Sequence, residues 1–236
     1  MTKIDKRVKY ILTVDVETAG SIGSPLIYDI GYVITDKRGK IYEERSFIIK
    51  EIFENKALMS SAYYSEKVPM YIEDIKNGSR TVVPFMEMRK DFLELAEKYN
   101  VKILSAYNLA FDNKALKNTM LYITQDEKAK FLNEHFINIE MLCIWCLACE
   151  TLYTQKIFST LAVKNGWVSK AGNYKTSAEI GYRFITGNKN SIESHTGLED
   201  VKIEIQIMAY AFRQNKKRTK GIFPNPWRIP NQKKYK

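Results

Sequence analysis

Tyr10-Ile-Leu-Thr-Val-Asp-Val16 is apolar except at Thr13 and Asp15 and rich in β-branched residues, the composition of a strand buried in a sheet. Tyr28 to Thr35 repeats that pattern, and Lys40 to Ile49 follows after Asp36-Lys-Arg-Gly39, a turn sequence closed by glycine. These segments predict an antiparallel three-strand start. From residue 51 to 83 neither period holds, and Tyr63, Tyr64, Pro69 and Tyr71 fall without pattern, so irregular chain with short helices is expected. Pro84 then opens a helix to about Tyr99, with Phe85, Met88, Phe92, Leu95 and Ala96 on one face and proline in the tolerated first turn. Val101 to Ala106 reads as a strand, and Asp112 onward as a helix. Phe136 to Ile139 reads as a short strand before an apolar helix from Met141 to Tyr153. Further helices are expected over Ser159–Gly166, Ser177–Thr186 and Leu198–Asn215, with Gly166, Gly172 and Gly187 between them. Strands first, then strands alternating with helices, indicate an α/β fold with a mixed sheet flanked by helices.

The chain has 236 residues, 45% hydrophobic and 27% charged, enough to bury a sizeable core and inconsistent with a disordered protein. Its longest apolar stretch, Met141 to Cys149, falls far short of the roughly 20 residues that cross a bilayer, so no membrane partner is expected. The polar opening from Met1 to Lys9 leads straight into a strand-like segment. No secretory signal is therefore expected, and the cytoplasm is the default compartment. The three cysteines, Cys143, Cys146 and Cys149, lie too close together for a disulfide framework. Their C-x-x-C-x-x-C spacing lacks an obvious fourth ligand for zinc or an iron–sulfur cluster, and beside Leu142, Trp145 and Leu147 it reads as a buried helix. Lys and Arg outnumber Asp and Glu by 37 to 27, a net +10 compatible with a nucleic-acid partner.

Three local patterns carry candidate chemistry. Asp15 and Glu17 end the first strand two positions apart, so both carboxylates project from one face. Such a pair is either an exposed strand end or a place for a cation. Tyr107 to Asn113 follows a strand, and Asp112 there also fits a helix N-cap. Thr196 and Glu199 have the spacing of a capping box. That places His195 on a loop free to move and Asp200 inside the first turns of the last long helix. The second histidine, His135, suits a surface or core role.

Taken in order, these pieces resemble the DEDDh family of 3′-to-5′ exonucleases, whose fold is ribonuclease H-like. Asp15-Val-Glu-Thr18 matches the first motif, Asn108, Phe111 and Asp112 the second, and His195, Gly197, Leu198 and Asp200 the third. The resemblance spans most of the chain and implies two divalent cations about 4 Å apart. Mg²⁺ or Mn²⁺ suits the all-oxygen ligands. It further implies that Asp15 bridges both ions, that Glu17 and Asp200 complete one site and that Asp112 serves the other. His195 would act as general base. Thr18, the backbone from Ala19 to Ile22, Asn108 and Phe111 would lie against the terminal nucleotide. The implied product is 5′-mononucleotides released from single-stranded or frayed 3′ ends, DNA rather than RNA, with a replication or polymerase partner among the relatives' habits. RNA 3′-end trimming, or a non-catalytic nuclease-fold protein that binds nucleic acid or a polymerase, are the alternatives.

Nine of the 37 basic residues lie from Arg213 onward with no acidic residue among them, leaving 28 against 27 in residues 1–212. The sequence thus divides into a near-neutral catalytic domain, 1–212, and a basic extension, 213–236, with Phe223, Trp227, Tyr235 and three of the six prolines. Basic residues interleaved with aromatics suit single-stranded nucleic acid, and the alternative is a tail pinned to the domain by Phe223 and Trp227.

Overall fold

In the computed structural model, which describes residues 4–5, 7–219 and 221–232, the first two apolar runs form β1 (Ile11–Ala19) and β2 (Leu26–Thr35). Met1 to Lys3, Lys6, Lys220, Lys233, Lys234, Tyr235 and Lys236 lie outside the described residues, as does the side chain of His135. β3 (Ile41–Ile49) follows the turn, where Gly39 at φ +82° donates its N–H to the Asp36 carbonyl. The segment without a period folds as α1 (Lys50–Phe53), α2 (Lys56–Met59), α3 (Val68–Lys76) and a short strand, β4 (Thr81–Val83), that the pattern did not announce. Then come α4 (Phe85–Lys98), β5 (Ile103–Ala106), α5 (Leu109–Thr124), β6 (Glu140–Cys143) and α6 (Ile144–Thr151). The chain continues through α7 (Lys156–Lys164), α8 (Ala178–Thr186), α9 (Gly197–Arg213) and α10 (Arg228–Gln232).

The six strands are ordered β4-β3-β2-β1-β5-β6. β1 pairs antiparallel with β2 and β2 with β3, giving the expected three-strand start, whereas β5 runs parallel to β1 and β6 parallel to β5. Helices cover both faces. On one, Leu12, Val14 and Val16 of β1 pack in a core with Phe85, Met88 and Phe92 of α4 and Leu116 of α5. On the other, Ile11 and Ile103 pack with Leu147, Phe158, Ile180, Ile207 and Met208. Each fully buried large side chain contributes roughly 1.5–3 kcal/mol by leaving water.

Several boundaries differ from the pattern. The strand beside β5 is Glu140–Cys143, so Phe136 to Ile139 lies outside the sheet and the helix begins at Ile144. A short apolar run fits a buried strand and a buried helix equally well, and this one is divided between them. α5 starts at Leu109 with Asn108 at its N-cap, which places Asp112 in the first turn and rules out its capping role. α7 starts at Lys156, three residues ahead of the expected Ser159. The cysteines are free and buried; Cys143 donates to the Tyr107 carbonyl and Cys146 to that of Phe223.

Part of the basic extension is docked. Gly221 bridges Leu142 beyond the β6 edge, Arg218 donates to Glu140 at 2.6 Å, and Lys216 donates to the Thr151 carbonyl. Buried Asn231 of α10 accepts the backbone N–H of Tyr174.

Candidate active site

Asp15 and Glu17 lie two positions apart near the end of β1, in the alternation that begins with Ile11, which packs with Ile207 and Met208 of α9. Directly after Glu17 the pairing with β2 shifts register, a bulge of the kind that re-aims side chains beside a site. Glu17 is buried and sits opposite Asp29 of β2. Asp29, wholly buried within an apolar strand, accepts the Tyr71 hydroxyl (2.7 Å) and the N–H of Gly197 (3.0 Å) and lies 3.5 Å from the Arg80 guanidinium. It therefore ties the first residue of α9 to the sheet. Glycine is required at this crossing, since a Cβ on Gly197 would lie 2.5 Å from the Gly31 nitrogen and 3.1 Å from the Asp15 carbonyl oxygen.

The start of α9 supplies the third motif. Thr196 is the N-cap, as the spacing predicts, but the capping box closes differently. The Thr196 hydroxyl donates to Glu199 at 2.6 Å, and Asp200, one residue further on, accepts the Thr196 backbone N–H at 3.2 Å. The Ser194 hydroxyl donates to the other Asp200 oxygen at 3.1 Å, which fixes the carboxylate. His195, at φ +51°, turns its ring toward Glu17 and Asp200. One ligand atom from each of the three lies within 4.8 Å of the others, the only such convergence of three or more His, Cys, Asp or Glu among the described residues. The ring is not free: it stacks on Tyr64 with centroids 4.2 Å apart and 15° between planes.

Asp112 is buried on α5, where the Val16 backbone of β1 holds its carboxyl down against the effect of burial. Burial and then the charge of Asp112, followed by Glu17 and Asp200, push the Asp15 carboxyl well above its ordinary value. Burial drives Glu17 up to about 8, helped by Asp29 and Asp200, and Asp112 to about 8. Asp200 rises to about 6, mainly through burial, with its hydrogen bonds holding it back. Clustered oxygen donors that repel one another and lie out of water are what a hard divalent cation needs, so these residues fit such an ion. Burial and the charge of Lys67 lower the pKa of His195 below 6.5, which keeps the imidazole neutral near pH 7.

Of the proposed nucleotide contacts, Thr18 is half-buried, Ala19 is fully buried and offers only backbone, and Ile22 is 78% exposed. Asn108 is exposed and Phe111 half-buried at the start of α5. Sequence reasoning did not single out Tyr64, Lys67, Asp29 or Glu193. Glu193, two residues before His195, is pushed up to about 7 by burial and by Asp200 and adds another acid to the patch. A charge inside the apolar run of β2 was a visible sign of Asp29; the others come from chain with no regular pattern.

No protein-family model matches the sequence, and no curated protein does. Among solved structures, the chain is similar to a full-length 3′-exonuclease, with TM-score 0.54 and 14% identity over 93% of this chain and 66% of that one. It is similar to E. coli exonuclease I in complex with a dT13 oligonucleotide, with TM-score 0.54 and 14% identity over 95% of this chain and 42% of that one. A product-bound exonuclease I gives TM-score 0.56 and 14% identity over 95% and 46%. The fold is that of these exonucleases, an α/β arrangement with a mixed sheet of the ribonuclease H-like kind. The chain spans just under two thirds of the first and less than half of the other two.

Proposed function

We propose that the protein is a metal-dependent 3′-to-5′ exonuclease that releases 5′-mononucleotides from single-stranded or frayed 3′ ends, DNA in preference to RNA. The observation that carries this reading is the convergence of His195 with Glu17 and Asp200 within 4.8 Å, beside Asp15 and Asp112, on an exonuclease fold. The preference for DNA rests on the similarity to an exonuclease I in complex with an oligo-dT.

In this reading Asp15, Glu17, Asp112 and Asp200 hold two divalent cations, Mg²⁺ or Mn²⁺. When bound, such ions supply charge neutralisation at the phosphate and a more acidic water. His195, neutral and half-buried, accepts the proton of the attacking water on the ring edge that faces the carboxylates. Ser194 and the Thr196 N–H keep Asp200 ionised and oriented. Thr18, the backbone from Ala19 to Ile22, Asn108 and Phe111 take the terminal nucleotide. Lys175 and Lys189 line a neighbouring cavity, in which Arg183 is paired with Glu179, and give a strand leaving the site a basic path.

The test incubates end-labelled single-stranded DNA and RNA oligonucleotides of matched sequence with Mg²⁺ or Mn²⁺. Mononucleotides appear from the 3′ end, faster from DNA, and EDTA stops the reaction. Internal cleavage fragments, or digestion that survives EDTA, would overturn the proposal.

A further inference from the structure

We propose that Tyr64 is a positioning residue for His195, and that the segment from Ser61 to Lys67 is a clamp holding the imidazole edge toward Glu17 and Asp200. The catalytic side of this inference rests on the reading of His195 as general base. Its structural side stands on contacts alone. A stacked partner fixes the plane of an imidazole, and both ring nitrogens lie in that plane. With centroids 4.2 Å apart and 15° between planes, Tyr64 covers one face of His195 and leaves the edge to the carboxylates.

The loop needs such support. His195 lies at φ +51°, a left-handed conformation uncommon outside glycine, and the chain before it, residues 187–196, has no helix or strand of its own. Lys67 donates to the carbonyl of Ser194, the residue before the histidine, and its ammonium sits 5.2 Å from the Tyr64 ring centre. Tyr63 braces Tyr64 edge-on, with centroids 4.8 Å apart and planes at 88°. The same segment is fastened to the end of β1. The Tyr63 N–H donates to the Thr18 carbonyl, and the Gly20 N–H donates to the Ser61 hydroxyl at 2.9 Å. One short stretch thus grips both the strand that carries Asp15 and Glu17 and the loop that carries His195.

The experiment exploits the presence of only two histidines. Carbon–proton correlation spectra of the imidazoles are recorded for wild type, Tyr64→Phe and Tyr64→Ala, with His135 as internal control. Loss of the stacked ring moves the His195 signals downfield in Tyr64→Ala, whereas Tyr64→Phe keeps them in place. Should Tyr64→Ala fail to fold, Tyr64→Leu, which keeps bulk without a ring current, replaces it. In turnover on a single-stranded DNA oligonucleotide, kcat of Tyr64→Ala falls about tenfold, part of the roughly 10²–10⁴ that a general base supplies, KM is unchanged and Tyr64→Phe restores the rate. Unmoved His195 signals in Tyr64→Ala, or a raised KM with kcat intact, overturn the proposal. Absence of cleavage by every form, wild type included, would sink the exonuclease reading alone, because the spectra still decide whether Tyr64 holds the ring.

Discussion

Asp15, Glu17, Asp112 and Asp200 occupy one patch where burial raises every one of their proton affinities, with repulsion from neighbouring carboxylates adding to it at Asp15 and Glu17. In the metal-free protein these carboxyls work against folding, and a cation that binds only the native state reverses the sign. Mn²⁺ at about 100 times its dissociation constant is therefore expected to stabilise the wild type by about 2.7 kcal/mol, read as a rise in melting temperature. Asp15→Asn or Asp200→Asn removes most of that rise, lowers nuclease activity by roughly 10³-fold or more, and leaves the metal-free protein at least as stable as wild type. Equal Mn²⁺ stabilisation of wild type and both variants would show that the patch holds no cation. Burial raises the Asp29 carboxyl too, but its substitution has the opposite effect. Its carboxylate is the acceptor for Tyr71 and Gly197 and faces the nearly buried Arg80, so Asp29→Ala strands the Tyr71 hydroxyl and the Gly197 N–H, while Arg80 keeps Asp74 and Glu199. A loss of about 3 kcal/mol is expected in denaturant unfolding, because orphaned buried partners cost more than the pair itself provides.

α9 reaches the sheet so closely that neither Gly31 nor Gly197 has room for a methyl group, the Gly31 position meeting the backbone of Leu198. Gly31→Ala is expected to cost about 1–3 kcal/mol by overpacking, and activity falls with it because His195 and Asp200 ride on the displaced end. Calorimetry and turnover of this variant check both; unchanged stability would mean that α9 is less firmly seated than the crossing implies. The elements themselves were largely legible. β1 and β2 are long apolar, β-branched runs, β3 follows a turn closed by Gly39, and α4 carries a face at helical spacing, so each leads to one answer. β6 and α6 share one apolar run, Met141 to Cys149, whose division depends on where β5 offers a parallel partner, and no local pattern contains that information. The catalytic candidates were legible for a related reason. Asp15 with Glu17, Asp112, and His195 with Asp200 sit at strand ends and helix starts whose short motifs can be read in place. Tyr64 and Lys67 belong to an aperiodic stretch and reach His195 only through the fold, so their role had no expression in spacing.

The molecule's charge is uneven along the chain, and the structure changes what that means. The basic residues after Arg213 suggested an arm for nucleic acid, yet Lys216 and Arg218 are engaged with Thr151 and Glu140, and Thr219 donates to Glu150 through both its N–H and its hydroxyl. Deletion beyond Asn215 removes these bonds, the Gly221 bridge and the Asn231 contact to Tyr174, so it lowers stability as well as any affinity for phosphates. A milder substitution separates the two effects. Glu140 joins the extension to β6: burial pushes its carboxyl up, but Arg218 and Lys9 outweigh burial and hold it below the usual glutamate value of 4.5. Since the native state binds that proton more weakly than the unfolded chain, the stabilisation is complete above the unfolded value and fades as pH falls through the native one. With Glu140 and Arg218 side chains 22% and 17% exposed, the pair is worth about 1 kcal/mol. Glu140→Gln should then melt below wild type at pH 7, and the gap should close as the pH is taken down through the acid range. A gap that persists at acid pH would mean that Glu140 acts through packing, and that the extension is held by its backbone contacts instead of its charge.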